Sequence, residues 1–552
     1  MTVTFPEDFN LADYWLFARE REKKGSKIAL RFGDRSWTYA EVAERSRGLA
    51  RALIEAGLRP GERVYIVLPD TPAFVWSIFG TLAAGGVVAM GNPIAPVEDL
   101  AYVVDYVRAA VVITTPTVAA ALAPHIKDVH TLHALLLAPD AATGDDPEAP
   151  CEPIVSVPMC EDLHKELRKG LASDIPLPKT HRDDQAIWLF TSGSTGRPKA
   201  AMHSHRDFAF NTEVFAKQTI AMHEDDVSVS VPRLFFGYAT GTNLWFPFAV
   251  GATVGLFSER PTAESITAAI QRYKATVVTN VPTMLGKILD LDDELRAKGQ
   301  RGLDLSSVRF HFSAGEALPE PLMRRFIERF GGQIYDGIGS AEMFHIYCSN
   351  RPGDVKPGSL GRVVDGYELR ILPEEANEPG APELPRGEIG VLWVKGDSVS
   401  HGYFRDRDKS WKTFHGHWCR TGDLFSIDAD GYLYFQGRAD DLFKVGGIFV
   451  APREVEDCLL AHPAVSVCAV IPAEDGGLTK PKALVVLRPD ARDKDKRALA
   501  DELKAHVQAR LSKHKYPRWV LFVDDLPKND RGKVDKKTLI EREKRGELSS
   551  DS

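Results

Sequence analysis

The chain has 552 residues; 44% of them are hydrophobic, 26% are charged, and the formal net charge is −8. This length exceeds what a single hydrophobic core usually serves, so we expect an ordinary globular protein of two or more domains. The acidic balance argues against a general nucleic-acid-binding protein, which needs a basic surface for the phosphate backbone.

Cysteine usage and the amino-terminal sequence both bear on the compartment. The cysteines are scattered, without a CxxC pair or a Cys/His metal spacing: Cys151, Cys160, Cys348, Cys419, Cys458 and Cys468. Such a distribution predicts free thiols in a reducing compartment. The first residues, MTVTFPEDFN, have neither the basic nor the apolar region of a secretory signal. We therefore expect a cytoplasmic protein.

Helix-like and strand-like patterns alternate from the start of the chain. Residues 38–58 have helical periodicity, and residues 62–68 form a short apolar strand. Residues 71–97 carry no charge, which would suit a membrane span, but glycines and prolines interrupt the segment. This interruption favours a buried helix followed by a buried strand. Residues 139–158 are polar and proline-rich and predict a surface loop.

The same alternation recurs at residues 274–291 and 306–337, and it predicts an α/β fold with strands buried between helical layers. Composition shifts near Gly437. Beyond it come a helix opened by Pro452, two strands, and a charged helix with an apolar stripe: Leu499, Leu503, Val507 and Leu511. We expect a large N-terminal domain over residues 1–437 and a small α+β domain at the end.

The stretch LFTSGSTGRPK, from Leu189 to Lys199, is rich in glycine and hydroxyl groups. It is not a Walker loop, because the glycines are too close together and Lys199 follows Pro198. No kinase-type glycine loop or catalytic segment accompanies it. Glycines let the backbone expose amide groups to an anion, hydroxyls add donors, and the lysine adds a positive charge. The composition is thus typical of a phosphate-binding loop, and equally of a surface turn.

Four further segments follow this loop in order: SAGEALPEP from Ser313, YDGIGSAEM from Tyr335, RTGDLFSIDADGYLYFQGRADDLFKVGG from Arg420, and PKNDRGKVDKKTL from Pro527. Together the five segments resemble the adenylate-forming superfamily of acyl-CoA synthetases, peptide-synthetase adenylation domains and luciferases. The segments RLFFGYATG and EMFHIYCSN resemble those of benzoate-CoA ligases and related aryl-CoA ligases. The resemblance spans nearly the whole chain.

The resemblance implies a nucleotide site for ATP and AMP. Its phosphate loop would comprise Thr191, Ser192, Gly193, Ser194, Thr195 and Gly196, with Lys199 as a catalytic cation. Its remaining members would be Gly315, Glu316, Ala317, Asp336, Gly337, Ile338, Ser340, Asp423 and Arg438. A carboxylate such as Asp423 can accept hydrogen bonds from both ribose hydroxyls, although an aspartate after a glycine is also typical of a turn.

The resemblance also assigns the groups that assist the reaction. Glu342 would be catalytic by holding Mg²⁺ together with Thr195, since Mg²⁺ prefers oxygen ligands. The chain departs from its relatives at Ala341, where they usually have threonine, so one hydroxyl near the α-phosphate is missing. Lys533 would be the catalytic lysine that eases the attack of one anion on another. A solvated lysine in a lysine-rich tail is the alternative.

Domain movement is a further implication of the resemblance. Residues 438–441 would form a hinge at Asp440, and residues 442–552 a mobile small domain that carries Lys533. Gly446 and Gly447 would line a tunnel for the pantetheine arm of coenzyme A, although two adjacent glycines also suit a hairpin turn.

The acid site would be lined by residues that the resemblance places around the acyl group: Phe236, Gly237, Tyr238, Ala314, Gly339 and His345. No acidic residue lies between Phe235 and Gly241, so the ammonium group of an amino acid would meet no counter-charge. Aromatic walls with small residues suit a flat ring, although ordinary core packing produces the same composition. For His345 the sequence leaves three roles open: a wall of the site, a proton partner, or a core histidine.

These observations predict an ATP- and Mg²⁺-dependent aryl-CoA ligase that converts benzoate, or a hydroxy- or aminobenzoate such as anthranilate, through aryl-AMP to the thioester. The alternatives are an adenylating enzyme that loads the phosphopantetheine of an acyl carrier protein, and a non-catalytic nucleotide-binding relative, which Ala341 alone supports. We expect neither nucleic acid nor membrane as a partner. A monomer and a homodimer both remain open.

Overall fold

The computed structural model describes residues 3–154, 160–192, 197–316, 318–438, 443–445, 448–475, 478–528 and 534–548. The strands, in chain order, are β1 (Ile28–Phe32), β2 (Arg35–Thr38), β3 (Arg63–Val67), β4 (Val87–Met90), β5 (Ala109–Thr114), β6 (Ala134–Leu137), β7 (Cys160–Asp162), β8 (Gln185–Ser192), β9 (Pro198–Ser204), β10 (Val227–Ser230), β11 (Thr253–Leu256), β12 (Val277–Asn280), β13 (Phe310–Ser313), β14 (Gln333–Gly339), β15 (Ile346–Ser349), β16 (Arg362–Val363), β17 (Glu368–Leu372), β18 (Gly390–Lys395), β19 (Phe414–His415), β20 (Trp418–Ile427), β21 (Leu433–Arg438), β22 (Phe443–Val445), β23 (Ile448–Val450), β24 (Val465–Asp475), β25 (Leu478–Leu487) and β26 (Trp519–Phe522).

The helices are α1 (Ala18–Arg21), α2 (Tyr39–Glu55), α3 (Pro72–Ala83), α4 (Val97–Tyr106), α5 (Pro116–Ile126), α6 (Leu163–Leu171), α7 (His205–Asn211), α8 (Gly237–Thr240), α9 (Phe246–Val250), α10 (Ala263–Tyr273), α11 (Pro282–Ala297), α12 (Glu320–Phe330), α13 (Arg407–Thr413), α14 (Pro452–Leu460), α15 (Lys496–Gln508) and α16 (Lys536–Lys544). Short π-helical segments occur at Asp13–Phe17, Thr212–Thr219 and Gly241–Trp245, and 3₁₀ turns at Ala341–Met343 and Pro489–Ala491.

Two large, mainly parallel sheets form most of the N-terminal part. One has seven strands in the order β7-β6-β5-β3-β4-β8-β9, and the other has nine in the order β16-β15-β14-β13-β12-β10-β11-β1-β2. Helices cover the strands, which are buried and apolar, as parallel sheets require. The predicted α/β architecture is therefore confirmed.

A third sheet and the C-terminal part complete the architecture. The third sheet is antiparallel, with the order β17-β18-β20-β19 and β21 paired to β20. After residue 442 the chain forms the two-stranded sheet β22-β23 and the three-stranded sheet β24-β25-β26, which have hydrophobic clusters of their own. Helix α14 of this part lies against β21, where the Cβ of Arg453 is 3.8 Å from the position a Cβ would take on Gly437.

The uncharged segment 71–97 is a buried helix followed by a buried strand, as predicted. Every residue of α3 is buried, and β4 is buried along its whole length. Proline at the first position of α3 suits a helix start, because its missing N–H would have no partner there. In the described ranges, no helix has the length and apolar character needed to cross a membrane.

Two further sequence predictions can be compared with the structure. Three members of the stripe on α15 are buried, whereas Leu511 lies beyond the end of the helix and packs at the edge of the same cluster. In the loop predicted over residues 139–158, the described residues 139–154 contain neither helix nor strand. The division of the chain at residue 437, the hinge over residues 438–441 and the mobility of the small domain stay predictions.

Parallel strands place several polar residues at one edge of the nine-stranded sheet. Ser313, the last residue of β13, pairs with Asp336 of β14, and Asn280, the last residue of β12, pairs with Ser313. The carboxyl edge of a parallel sheet is where ligands of α/β proteins usually bind. The predicted nucleotide residue Asp336 therefore lies in one row with the polar residues Ser313 and Asn280.

Candidate active site

The predicted phosphate loop falls in the sequence between β8 and β9, which pair as antiparallel neighbours. Thr191 pairs with Lys199 across this ladder, and residues 193–196 lie outside the described ranges. The ammonium group of Lys199 lies 2.7 Å from the carboxylate of Asp406. Burial opposes ionisation of Asp406, but hydrogen bonds from Lys199 and from the backbone of Lys409 lower its pKa below the usual value. The lysine is thus held in a defined position beside the loop.

The predicted magnesium ligand, Glu342, lies in a 3₁₀ turn that is fixed by Tyr403. The phenol of Tyr403 donates a 2.7 Å hydrogen bond to Oε1 of Glu342. Burial and the adjacent carboxylate raise the pKa of Tyr403 above its usual value, so the phenol keeps its proton. Among the residues that the structure describes, Oε2 of Glu342 has no hydrogen-bond or ion-pair partner. This oxygen is available to a cation.

The segment around Tyr403 joins Glu342 to the hairpin. Tyr403 forms a bridge with Ala201 of β9, and the backbone N–H of Met202 donates to the carbonyl of Gly402 at 3.0 Å. The backbone N–H of Ser400 donates to the carbonyl of Glu342 at 2.8 Å. The phosphate hairpin, the Glu342 turn and residues 400–406 therefore form one hydrogen-bonded unit.

Asp336 is a buried carboxyl group in the middle of β14. Burial raises its pKa to about 7, against the nearby hydroxyl of Ser313 and backbone of Leu318, which favour the ionised form. Its Oδ1 atom, like Oγ of Ser340, is buried without a hydrogen-bond partner in the described part of the chain. Unpaired buried polar atoms are costly, so both suit a polar ligand.

The other described residues of the predicted nucleotide site lie in or just after β13, β14, β20 and β21. Gly315 has a φ of +89°, which favours glycine, and its position has open space where a Cβ would be. Glu316 accepts a 2.6 Å hydrogen bond from Thr283. Asp423 of β20 pairs with Arg438 of β21 in the antiparallel ladder. Gly337 and Ile338 continue β14 directly after Asp336.

The acid side is built from aromatic rings and closely packed backbone. The rings of Phe235 and Phe236 are 4.3 Å apart, and Tyr238 donates a 3.2 Å hydrogen bond to the carbonyl of Asn280. A Cβ on Gly237 would lie 3.2 Å from the side chain of Leu189, so the segment packs directly on β8. The acid side is thus adjacent to the strand that leads to the phosphate loop.

His345 is a neutral, buried histidine on this side. Burial lowers its pKa to about 4, and Nε2 donates a 3.0 Å hydrogen bond to the carbonyl of Tyr238. The ring lies against Gly241, where a Cβ would be 2.4 Å from it, and the backbone of His345 is equally close to Gly339. Ala314 is also buried. The structure thus shows contacts for His345 with two predicted acid-site residues, Tyr238 and Gly339.

Several predicted residues lie outside the described ranges: Gly193, Ser194, Thr195, Gly196, Ala317, Asp440, Gly446, Gly447 and Lys533. The side chains of Ser192 and Arg438 are likewise not described. Their roles stay predictions.

Sequence reasoning missed four residues that hold the site together: Tyr403, Asp406, His203 and Phe344. Each acts through a contact that is remote in the sequence. The hydrogen bond between His203 and the carbonyl of Ala341, for instance, spans 138 positions. The one local signal for His203 was its position four residues before Asp207, which lies in the first turn of α7.

A basic cleft of about 280 Å³ in the C-terminal part was also not predicted. Its lining residues are Val445, Lys480, Pro481, Lys513, His514, Tyr516 and Arg518. Val445 directly precedes the predicted tunnel residues Gly446 and Gly447. Three cationic side chains around one cleft suit an anionic ligand.

Known proteins resemble this chain over nearly its whole length. The family model for the AMP-binding enzyme matches residues 17–404, and that for the AMP-binding enzyme C-terminal domain matches residues 454–533. The chain is 37% identical over 534 residues to the benzoate–CoA ligase of Thauera aromatica, covering 96% of each protein.

Two solved structures resemble the whole chain. The anthranilate CoA ligase AuaEII, in complex with anthranoyl-AMP, superposes with a TM-score of 0.87 at 32% identity and 99% coverage of both chains. A benzoate CoA ligase from Burkholderia xenovorans LB400 gives a TM-score of 0.81 at 35% identity, covering 96% of this chain and 99% of that one. The chain belongs to the AMP-binding enzyme family.

Proposed function

We propose that the protein is an ATP- and Mg²⁺-dependent aryl-CoA ligase that acts on benzoate or a small hydroxy- or aminobenzoate. The observation that carries this proposal is the composition of one segment, residues 336–345. It begins with Asp336 and Ser340, which have buried oxygen atoms without a partner among the described residues, continues with Glu342, and ends at His345 among aromatic rings. Groups for a nucleotide and for an aromatic acid therefore follow one another within ten residues.

The nucleotide side fits ATP in its charges and its unpaired atoms. Asp336 offers a buried acceptor for an amino group such as that of adenine. Lys199 pairs with Thr191, the first residue of the predicted phosphate loop. Within the described ranges, one carboxylate oxygen of Glu342 has no partner, and such an oxygen is the ligand type that Mg²⁺ prefers. When bound, Mg²⁺ would neutralise phosphate charge. Thr195 is proposed as its second protein contact.

In the first half-reaction, a carboxylate oxygen of the acid attacks the α-phosphorus of ATP, and pyrophosphate leaves. Both reactants are anions, so positive charge near the α-phosphate lowers the barrier. We assign this role to Lys533, and Lys199 holds the terminal phosphates. In the second half-reaction, the thiol sulfur of coenzyme A attacks the acyl carbon, and AMP leaves.

The acid side favours an uncharged aromatic ring. His345 is neutral at physiological pH because its pKa is about 4, and the segment 235–241 contains no acid. An amino acid would therefore leave its ammonium group buried without a counter-charge, which is costly. The benzoate and anthranilate ligases among the relatives support the same class of acid.

The basic cleft supports free coenzyme A as the acceptor rather than a carrier protein. Coenzyme A carries phosphate groups at its nucleotide end, and Lys480, Lys513 and Arg518 surround a cleft beside the predicted tunnel. The free, buried cysteines agree with a reaction in the cytoplasm, since they form no disulfide.

A substrate panel tests the proposal. Pyrophosphate exchange is measured with benzoates, phenylacetates, fatty acids and amino acids, and thioester formation is then compared between coenzyme A and a carrier protein. We expect the highest kcat/KM with a benzoate and rapid turnover with coenzyme A. Preference for a fatty acid would refute the assignment of an aromatic acid as substrate. Turnover with the carrier protein but not with coenzyme A would refute coenzyme A as the acceptor.

A further inference from the structure

A buried histidine beneath the Glu342 turn has no part in the reaction described so far. His203 of β9 is fully buried, and its Nε2 lies 2.6 Å from the carbonyl oxygen of Ala341. Its Nδ1 lies 3.1 Å from Oδ2 of Asp207, at the start of α7. Asp207 also accepts hydrogen bonds from the backbone N–H of Ser204 at 3.0 Å and from its hydroxyl at 2.6 Å.

The partners of the imidazole decide which atoms donate. A carbonyl oxygen can only accept, so Nε2 of His203 carries a hydrogen and donates it to Ala341. The carboxylate of Asp207 faces Nδ1 at 3.1 Å and is itself held by hydrogen bonds from Ser204. The ring is therefore anchored on one side and holds the Ala341 carbonyl on the other.

The 3₁₀ turn Ala341–Met343, which His203 contacts, leads directly into a strained residue, Phe344. Phe344 has φ 69° and ψ −61°, and the N–H of His345 donates to the carbonyl of Met343 at 2.9 Å. These values define a classic γ-turn, which is rare and unfavourable for a residue with a side chain. Such a conformation persists only where the surrounding structure holds it.

The carbonyl groups of this turn are held one after another. His203 donates to Ala341, the N–H of Ser400 donates to Glu342 at 2.8 Å, and Oγ of Ser398 donates to Met343 at 2.8 Å. Of these donors, His203 is the one that belongs to the phosphate hairpin. It therefore connects the strand of Lys199 to the turn of Glu342.

We propose that His203, oriented by Asp207, is a positioning residue that fixes Glu342 for the metal. This inference rests on the proposed function, in which Glu342 holds Mg²⁺ on ATP. The peptide unit that His203 holds leads directly into Glu342, so a change in its orientation moves the carboxylate. Ala341 has no side-chain polar group, so its carbonyl is the atom through which His203 holds this residue.

The test measures Mg²⁺ affinity without turnover. His203→Leu and His203→Gln are compared with wild type by calorimetric titration of Mg²⁺ in the presence of saturating α,β-methylene-ATP, which cannot be cleaved at the reacting bond. Loss of a hydrogen bond that orients a metal ligand typically weakens metal binding at least tenfold. We expect the Kd for Mg²⁺ to rise about tenfold in His203→Leu. His203→Gln, whose amide can donate to the same carbonyl, should stay within about twofold of wild type.

A matched control is His164→Leu. His164 is also buried, but it packs edge-on to Trp76 at 5.8 Å, and its ring nitrogens have no partner in the ranges that the structure covers. Its replacement should change the Kd for Mg²⁺ by less than about twofold, because the residue is remote from Glu342. Thermal unfolding is recorded for every variant.

The outcomes separate the inference from the proposed function. If His203→Leu folds and binds Mg²⁺ like wild type, the positioning role is wrong. If it does not fold, Asp207→Asn decides: a Kd for Mg²⁺ raised about threefold supports the role, and an unchanged Kd refutes it. Failure of wild type to form an acyl-adenylate with any acid would instead overturn the proposed function.

Discussion

The phosphate side and the acid side of the site are stabilised by different means. On the phosphate side, charged groups are fixed by polar contacts. Lys199 forms an ion pair with Asp406, and Glu342 accepts a hydrogen bond from the phenol of Tyr403. On the acid side, aromatic rings and close backbone contacts surround the neutral His345. We therefore expect the two sides to serve separate tasks, adenylation on one side and selection of the acid on the other. Changes on the phosphate side should alter adenylation equally for every acid, whereas changes on the acid side should alter the order of preference among acids.

The largest effect is expected from Lys533→Ala. Without this cation the attack of carboxylate on the α-phosphate is unassisted, so adenylation should slow about a thousandfold for all acids alike. Thioester formation from supplied aryl-AMP should survive. Pyrophosphate exchange and thioester absorbance measure the two half-reactions, with Lys537→Ala on the exposed face of α16 as the control. If both half-reactions were unchanged, the assignment of Lys533 would be wrong.

Glu342→Gln should lower adenylation about a hundredfold, because the amide is a weaker ligand for a hard cation. The loss should be the same for benzoate and for a hydroxybenzoate, and raised Mg²⁺ should restore part of the rate. Initial rates over a Mg²⁺ series check this. A loss that differed between acids would contradict the separation of the two sides.

Gly241→Ala should change acid preference rather than overall chemistry. The added Cβ would lie 2.4 Å from the ring of His345, which must move and reshape the acid side. We expect the ratio of kcat/KM values between two benzoates to change about tenfold. Gly286→Ala in α11, where a Cβ meets nothing within 4 Å, is the control. Equal losses for all acids would count against the prediction.

Asp336→Asn should produce the smallest effect, which is a change in how the stability of the protein depends on pH. Burial raises the pKa of Asp336 to about 7 from 3.8, so between these pH values the folded protein binds a proton that the unfolded chain releases. Stability from this group therefore falls as pH rises from about 4 to about 7. Between pH 5 and 8, the Tm of wild type should fall by roughly 2–4 °C more than that of the variant. Parallel curves in thermal scans without nucleotide would contradict this.

Much of the fold was accessible from local patterns. The uncharged stretch ending at Val97 predicted α3 and β4, because a buried parallel strand and its helix are apolar on all sides. The alternation of helix and strand predicted the sheets. Strand order was not predicted, since it depends on which strands meet in space rather than on any single strand.

The site could be predicted only in part for the same reason. Motifs predicted roles for Glu342, Asp336 and the acid-side residues, because these residue types suit the chemistry, and those roles stay predictions. Tyr403 and Asp406 were missed because their function follows from a bridge between Ala201 and Tyr403 that no local pattern records. Supporting contacts of this kind become visible only when the chain is folded.

The pairing of Lys199 with Asp406 has a consequence for how the nucleotide is captured. The side chain of Lys199 is only 15% exposed, so its ammonium group has given up most of its water during folding of the chain. When a triphosphate binds, Lys199 therefore exchanges one anionic neighbour, Asp406, for another. No full hydration shell has to be removed from its ammonium group. We expect capture to be less sensitive to ionic strength than attraction by a free surface lysine would be.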